Sequence, residues 1–487
     1  GCRAIISRPW AGRRFCNRRI IDFSPLPCYT NISYFGYFFL FEKIYGKELI
    51  GMEQPVINIG IMGVGNIGTG VARILLTERE LLASRSGIRF NLKTVVDTDW
   101  ERDRGVDFTG VKMGTDAAEI INDPGIDIVI ETIGGYEPAF TYVMQALANG
   151  KHVITANKAL LATRGRELFS QARAHGVDIL FEASVGGGIP VIMGLREGLV
   201  ANRILGIYGI VNGTSNYILS RMHQDNMDFA EALREAQAKG FAEADPTLDI
   251  NGVDAAHKLA ILASLAFGGL VNFDRIPVEG ITGVTPLDIN YAKSFGYVIK
   301  LLAICRFIGG KADLRVHPTL VPEEHLLAAV NNELNAVFIT GDLVGNTMFY
   351  GPGAGQDPTA SAVVSDIVDL ARNMLARPRG ECFSCLSMDP EKDVPLLPLD
   401  EVTNRFYLRL YTLDQPGILA RISGVLGENK ISISSVVQLE THGEKDFVPI
   451  VLLTHEAPEH ALNKALMQLR EFAFIRPDIL RLRLFHA

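Results

Sequence analysis

The sequence is poor in cysteine, with six in 487 residues, too few in a chain this long to make a disulfide scaffold. A reducing, cytosolic setting is the expectation. Positive charge is not in excess either. The 47 Lys and Arg face 55 Asp and Glu, for a net charge of −8. That excludes a nucleic-acid binder working through a broad basic surface. Long apolar runs are also missing. The uncharged apolar stretch Leu259–Phe273 falls short of the roughly 20 residues a bilayer-crossing helix needs. What is present is a hydrophobic fraction of 48% and a charged fraction of 21%. At roughly 150 residues per domain, the length predicts about three domains, each large enough for its own core.

Residues 1–51 stand apart. They hold eight Lys and Arg, six of them Arg, against three acids, so this stretch carries +5 and the remainder −13. Three of the six cysteines and eleven of the forty aromatics also fall here. Ser33–Phe41 is dense in aromatics, yet no helical or strand period persists. Arg-rich and acid-poor composition is that of a transit peptide. The alternative is a stretch outside the native start, because Met52 is followed at once by Glu-Gln-Pro and a strand. Residues 1–54 are expected to be a disordered extension.

From Val56 the chain reads as a dinucleotide-binding half. The apolar run Val56–Ile61 suits a strand buried on both faces. It leads directly into Gly63-Val64-Gly65-Asn66-Ile67-Gly68 and then a helical pattern. This is G-x-G-x-x-G between strand and helix, the context in which the hexapeptide carries weight. The first glycine permits the tight turn, the second lets backbone approach a pyrophosphate, and the third lets the helix pack close. The helix N-terminus then offers free amides and a partial positive charge to phosphate. Further strands at Leu92–Val96, Asp127–Ile130 and His152–Thr155 alternate with helices, which implies a parallel sheet with ligands beyond its strand C-terminal ends. Thr132, Gly134 and Lys158 fall there. Asp97 could bind a ribose hydroxyl, favouring NAD, while Arg102 and Arg104 could pair with a 2′-phosphate, favouring NADP. Asp97 lies further from Gly68 than the usual spacing of about 20 residues, an excess ascribed to a loop around Ser84–Arg89.

Four signals follow in the middle of the chain. Phe181-Glu182-Ala183-Ser184-Val185-Gly186-Gly187-Gly188-Ile189-Pro190 frees several carbonyls beside a carboxylate, as hard cations require. A glycine hinge explains it equally well. Val211-Asn212-Gly213-Thr214-Ser215-Asn216 reads as strand, turn and helix, with Thr214 or Ser215 as the N-cap. Lys239–Asp249 is an acidic loop that could hold an ammonium group, or a solvated turn. The sharpest signal is Asn251–Lys258. Asp254 and Lys258 sit at i and i+4 on a helix that continues in Ala, Leu and Ile. A lysine near a buried surface costs several kcal/mol unless it is paired or used. Burial draws its pKa toward neutrality, as acid/base chemistry needs. Gly351-Pro352-Gly353-Ala354-Gly355 then precedes a helix over about 358–373 and suits a return to the nucleotide. Cys382-x-x-Cys385 has a metal-like spacing without a second pair nearby.

A connector with four prolines spans Ala376–Asn404. After it, strand, helix, two strands hinged at Thr441-His442-Gly443, helix and strand give the split βαβ order β-α-β-β-α-β. No catalytic constellation occurs there, so a binding or regulatory role is expected.

With these motifs in order, the chain from about Pro55 to its end resembles homoserine dehydrogenase of the bacterial type with a C-terminal ACT domain. The likeness rests on GVGNIG, TANKALL, FEASVGGGIP, NGTSNYIL, KGFAEADP with DINGVDAAHK, and GPGAG. It implies an α/β chain with a Rossmann-type domain over 55–182 completed by about 353–375. An α+β substrate and dimerisation domain over 183–352, a linker over 376–404 and an ACT domain over 405–487 would follow. The implied reaction interconverts L-homoserine and L-aspartate 4-semialdehyde with NADP or NAD, on the route to threonine, methionine and isoleucine. The resemblance makes Lys258 the catalytic acid/base, with Lys158 between cofactor and substrate. Glu243 and Asp254 would bind homoserine. Gly63, Val64, Gly65, Asn66, Ile67, Gly68, Thr132, Lys158, Gly240 and Gly353 would contact the dinucleotide. Glu182 with the carbonyls of Val185, Gly187 and Ile189 would hold a sodium ion. Asp414 and Gly417 would meet an amino-acid effector, threonine in the usual case. A cytoplasmic homodimer or homotetramer is expected. The rival readings are another ACT-bearing nicotinamide dehydrogenase, acting on a prephenate-like acid, and a non-catalytic sensor of nucleotide and amino acid.

Overall fold

The structure, a computed structural model, describes residues 54–376, 388–438 and 447–486. The Arg-rich prefix, Cys382 with Cys385, and the Thr441–Gly443 hinge lie outside the described residues.

The nucleotide half is built on six strands: β1 (Val56–Met62), β2 (Arg89–Val96), β3 (Lys112–Gly114), β4 (Ile128–Glu131), β5 (His152–Thr155) and β6 (Ile179–Leu180). They run parallel in the order β3-β2-β1-β4-β5-β6. The order reverses between β1 and β4, which opens a crevice beyond their C-terminal ends. Both faces of β1 are covered, and Ile59, Ile61 and Met62 are fully buried. Helix α1 (Asn66–Thr77) covers one side, while α3 (Ala139–Ala148) and α4 (Lys158–His175) cover the other. The long spacing to Asp97 has a different cause from the loop expected at Ser84–Arg89. An additional helix, α2 (Arg79–Ser86), is inserted there and ends on Gly87 in the left-handed conformation at φ 75°.

The second half carries strands β7 (Ile204–Ile210), β8 (Tyr297–Ile308), β9 (Lys311–Pro322), β10 (Leu334–Gly341) and β11 (Gly345–Pro352). Helices α5 (Gly213–Asp225), α6 (Phe229–Ala238), α7 (Val253–Phe267) and α8 (Pro286–Ser294) belong to this half. Helix α9 (Gln356–Ala376) begins before Pro358 and ends past Asn373, then returns to the nucleotide half. There it packs so closely on α1 that a Cβ on Gly70 would lie 2.9 Å from that of Ala360.

The last segment forms β12 (Phe406–Leu413), α10 (Ile418–Glu428), β13 (Ile433–Val437), β14 (Phe447–Thr454), α11 (Glu459–Arg470) and β15 (Leu480–Leu484). Its strand order is β15-β12-β14-β13, and β15 pairs in parallel with β9, so one nine-stranded sheet runs through both regions. Tyr407, Val451, Leu453 and Leu482, on the face away from α10 and α11, join the core of the preceding domain. Asp288 of α8 seals the junction: fully buried, it accepts from Arg409 Nε at 2.7 Å and Tyr407 Oη at 2.8 Å. No helix among the described residues is long and apolar enough to cross a membrane.

Candidate active site

The glycine loop closes the crevice. Gly63 has φ 90°, and a Cβ there would lie 2.9 Å from the Ile133 amide nitrogen. A Cβ on Gly68 would stand 2.1 Å from the Gly63 oxygen and 2.8 Å from Thr132 Oγ1. Each glycine is therefore required where it stands. Gly65 differs: nothing among the described residues lies within 4 Å of where its Cβ would be. Helix α1 begins beside it without a side-chain cap, so its first amides lack a side-chain acceptor and suit an anion. The residues present thus fit a dinucleotide pyrophosphate. Thr132 Oγ1 donates to the Gly63 oxygen at 2.6 Å. Glu131, fully buried, fixes the loop below by accepting the Ile133 and Gly134 amides at 2.8 and 3.0 Å and Thr155 Oγ1 at 2.6 Å.

At the adenosine end, Asp97 accepts the Val64 amide at 2.6 Å and faces Arg104 at 3.4 Å. The Arg104 side chain is buried at 5% exposure, donates through Nε to the Val64 oxygen at 2.8 Å and stacks over Trp100. Arg104 therefore neutralises Asp97 rather than projecting outward, and Arg102 is exposed.

Lys158 opens α4 directly after β5, and Asp254 and Lys258 lie in the first turns of α7, so the two halves meet at these side chains. Asp254 Oδ1 lies 2.9 Å from Lys158 Nζ, and its Oδ2 accepts from Lys258 Nζ at 2.7 Å and Asn212 Nδ2 at 2.8 Å. Lys258 also donates to the Val211 oxygen at 2.6 Å, at the end of β7. Asp254 and Lys258 are 5% and 7% exposed, whereas the Lys158 side chain is 42% exposed. Burial alone would raise the Asp254 carboxyl, but Lys258 and Lys158 together hold it well below the usual carboxylate range. Burial pushes the Lys258 amine down and Lys158 reinforces that, against the pull of Asp254. Lys158 is itself desolvated, yet Asp254 holds it above the ordinary lysine value. The three side chains thus form a fixed ion pair beside an amine of weakened proton affinity, which is the combination that acid/base work needs.

The surrounding loop supplies more acids. Glu243 is exposed on the turn after Gly240, whose φ is 76°, and its charge acts on Lys158. Asp249, which sequence reasoning did not single out, accepts Asn212 Nδ2 at 2.7 Å. Asn212 links both acids and caps α5 as well, its Oδ1 accepting the Ser215 amide at 2.8 Å. The cap is therefore Asn212, neither Thr214 nor Ser215.

The glycine-rich turn lies against the GPGAG loop. A Cβ on Gly187 would come within 2.7 Å of the Gly353 carbonyl, and one on Gly353 within 2.0 Å of the Asn335 side chain. Glu182, buried at 3% exposure, accepts the Ile192 and Met193 amides at 2.9 and 2.6 Å. The Ile189 oxygen accepts the Val191 amide at 2.8 Å. Among the described residues no hydrogen bond reaches the oxygens of Val185 or Gly187. One carboxylate and free carbonyls are the donor types that a hard cation takes. In the last segment, Asp414 accepts Gln438 Nε2 at 3.4 Å and Gly417, at φ 89°, begins α10.

Three family profiles match the chain in order: the NAD-binding domain of homoserine dehydrogenase over residues 63–182, homoserine dehydrogenase over 190–368, and the ACT domain over 406–471. A homoserine dehydrogenase of Pseudomonas aeruginosa is 43% identical over 432 residues, covering 88% of this chain and 99% of its own. The chain belongs to the homoserine dehydrogenase family. The crystal structure of a homoserine dehydrogenase from Thiobacillus denitrificans superposes with a TM-score of 0.83 at 44% identity, covering 89% of this chain and 99% of that one. A hyperthermophilic archaeal homoserine dehydrogenase in complex with NADPH is 26% identical, with a TM-score of 0.55, covering 67% of this chain and all of that one. The family profiles thus fall in the same order as the Rossmann-type, catalytic and ACT regions described above.

Proposed function

We propose that this chain interconverts L-homoserine and L-aspartate 4-semialdehyde, on the route to threonine, methionine and isoleucine. The activity is that of an oxidoreductase acting on the CH–OH group of homoserine with NAD(P). One observation carries the residue assignment: a buried Lys258 held by Asp254 where the second half meets the dinucleotide crevice. Lys258, neutral, takes the hydroxyl proton as the alcohol is oxidised and returns it to the alkoxide in reduction. Asp254 fixes its Nζ in place. Lys158, kept charged by Asp254, lies between the dinucleotide and the substrate, and Glu243 faces the substrate ammonium. A bound dinucleotide supplies the hydride acceptor, held by Gly63 to Gly68, Thr132, Lys158, Gly240 and Gly353. Much of the rate comes from holding the two reactants together.

Arg104 cancels the charge that Asp97 would set against a 2′-phosphate, and Arg102 lies exposed beside it. NADP is therefore the better cofactor, with NAD also accepted. Glu182 and the Val185, Gly187 and Ile189 carbonyls hold a sodium ion. Asp414 and Gly417 receive threonine as feedback effector. The domains span 55–182, 183–352 and 405–487, and the enzyme works in the cytoplasm as a homodimer or homotetramer. The deciding experiment follows absorbance of the reduced dinucleotide on adding homoserine, run separately with NADP and NAD. No homoserine-dependent change with either would refute the reading.

A further inference from the structure

Two arginines of β15 reach out of the ACT region. Arg481 Nη2 lies 2.6 Å from Glu279 Oε1, and Arg483 meets both Glu279 oxygens at 3.0 Å. Both also hold Glu459, the fully buried first residue of α11, Arg481 at 3.2 Å. Glu459 alone would give the two guanidinium groups a carboxylate within their own domain. The second one comes instead from the segment between α7 and α8. Its backbone is fastened to β9, where the Glu279 amide donates to the Val316 oxygen at 2.8 Å.

The opposite side of that segment touches the turn before α7. The Ile281 amide donates to the Ile250 oxygen at 2.8 Å. A Cβ on Gly280 would lie 2.4 Å from that oxygen and 2.6 Å from the Asn251 Cα. Gly252, at φ 83°, backs onto Val278 and Val316, where a Cβ would come to 3.1 and 3.2 Å. This turn, Ile250–Gly252, separates Asp249 from Asp254, the two acids that share Asn212.

We infer that Glu279 is a positioning residue for the substrate site: gripped by Arg481 and Arg483, it sets the backbone against which Ile250–Gly252 rests, and so the placement of Asp249 and Asp254. The inference rests on the assignment of Asp254 and Lys258 above. It gives the ACT region a physical hold on the substrate side of the site and none on the glycine loop.

The test compares the full-length wild type with Glu279→Gln and Glu279→Asp. Glu279→Gln should raise the KM for homoserine roughly 2- to 30-fold, the span of measured couplings between packed sites. The KM for the dinucleotide should stay within about twofold, since no part of this contact reaches the glycine loop. Glu279→Asp, which keeps the charge, should recover part of the loss. Equal homoserine KM and kcat in Glu279→Gln, or a rise of both KM values together, would overturn the inference. If Glu279→Gln does not fold, Arg481→Gln is read by the same criteria, since it removes the 2.6 Å hold on Glu279 while Arg483 keeps Glu459 paired. Amide hydrogen exchange reads the contact without activity: exchange at Asn251 and Gly252 should quicken in the variant, and unchanged exchange overturns the proposal. A wild type that turns over no homoserine refutes the functional reading alone, and the exchange result then decides this one.

Discussion

Removing Lys258 and removing Asp254 should both lower activity sharply, yet only one should weaken the fold. In Lys258→Ala the Asp254 carboxylate keeps Lys158 at 2.9 Å and Asn212 at 2.8 Å, so no charge is left unpaired. Turnover should fall by about 10²- to 10⁴-fold, the usual share of general acid/base catalysis, or roughly 3–5 kcal/mol of barrier. Dinucleotide affinity should be nearly unchanged. In Asp254→Ala the buried Lys258 ammonium keeps only the Val211 oxygen, and breaking a buried pair in this way costs about 3–5 kcal/mol. The pH profile separates the roles further. Oxidation needs neutral Lys258, so kcat/KM should rise with pH through an inflection below the ordinary lysine value of 10.5. Asp254 favours the charged amine and Lys158 opposes it. Asp254→Asn should therefore move the inflection down, and Lys158→Met should move it up. Initial rates against pH, NADPH fluorescence and thermal melts supply the data. Wild-type turnover in Lys258→Ala, or shifts of the same sign in the other two variants, would refute the scheme.

Three further outcomes are expected. Lys300, 1% exposed among Asn216, Asn331 and the Val330 oxygen, is lowered by burial from 10.5 to about 7. The unfolded chain then binds the extra proton between those values, so stability from this group rises as pH climbs from about 7 to 10.5, by on the order of 4–5 kcal/mol. Lys300→Met should lack that rise, and parallel stability curves for the two proteins would contradict the assignment. Gly65→Ala enters open space at a φ of −72°. It should keep the melting temperature while weakening dinucleotide binding by about 1–3 kcal/mol of overcrowding, whereas Gly68→Ala should lose both. Threonine titrated against full-length activity should inhibit the wild type, and Asp414→Ala should blunt the curve; identical curves would remove Asp414 from the effector site.

What was readable in the sequence was local chemistry. GVGNIG needs glycine at Gly63 and Gly68 for contacts with the neighbouring turn, and that demand shows in the hexapeptide itself. Asp254 and Lys258 were legible because i,i+4 spacing forces them together and the apolar residues after them require burial. Helix α2 was not, because RELLASRS carries little apolar face to declare a period. The N-cap of α5 was misplaced by two or three residues, since Ser signals a cap as strongly as Asn and Thr is also a common one. Only the position of the acids decides that Asn212 turns inward.

The rest was hidden because it depends on pairings distant in sequence. Asn212 reads as half of a turn dipeptide until α7 brings Asp254 to its amide, 42 residues on. Asp249 and Glu131 look like ordinary loop acids, and only burial and the amides around Glu131 distinguish it. The union of β9 with β15 leaves no trace in either strand, whose alternation fits an edge as well as an interior. That pairing is nonetheless what places Arg483 opposite Glu279. A motif can name the side chains that react, but the force that holds them in register comes from contacts that no motif contains. The Asp254 carboxylate shows the difference, because its bond to Lys258 was written in the helix, its bond to Asn212 needs the second half folded, and its bond to Lys158 exists only once the halves have met.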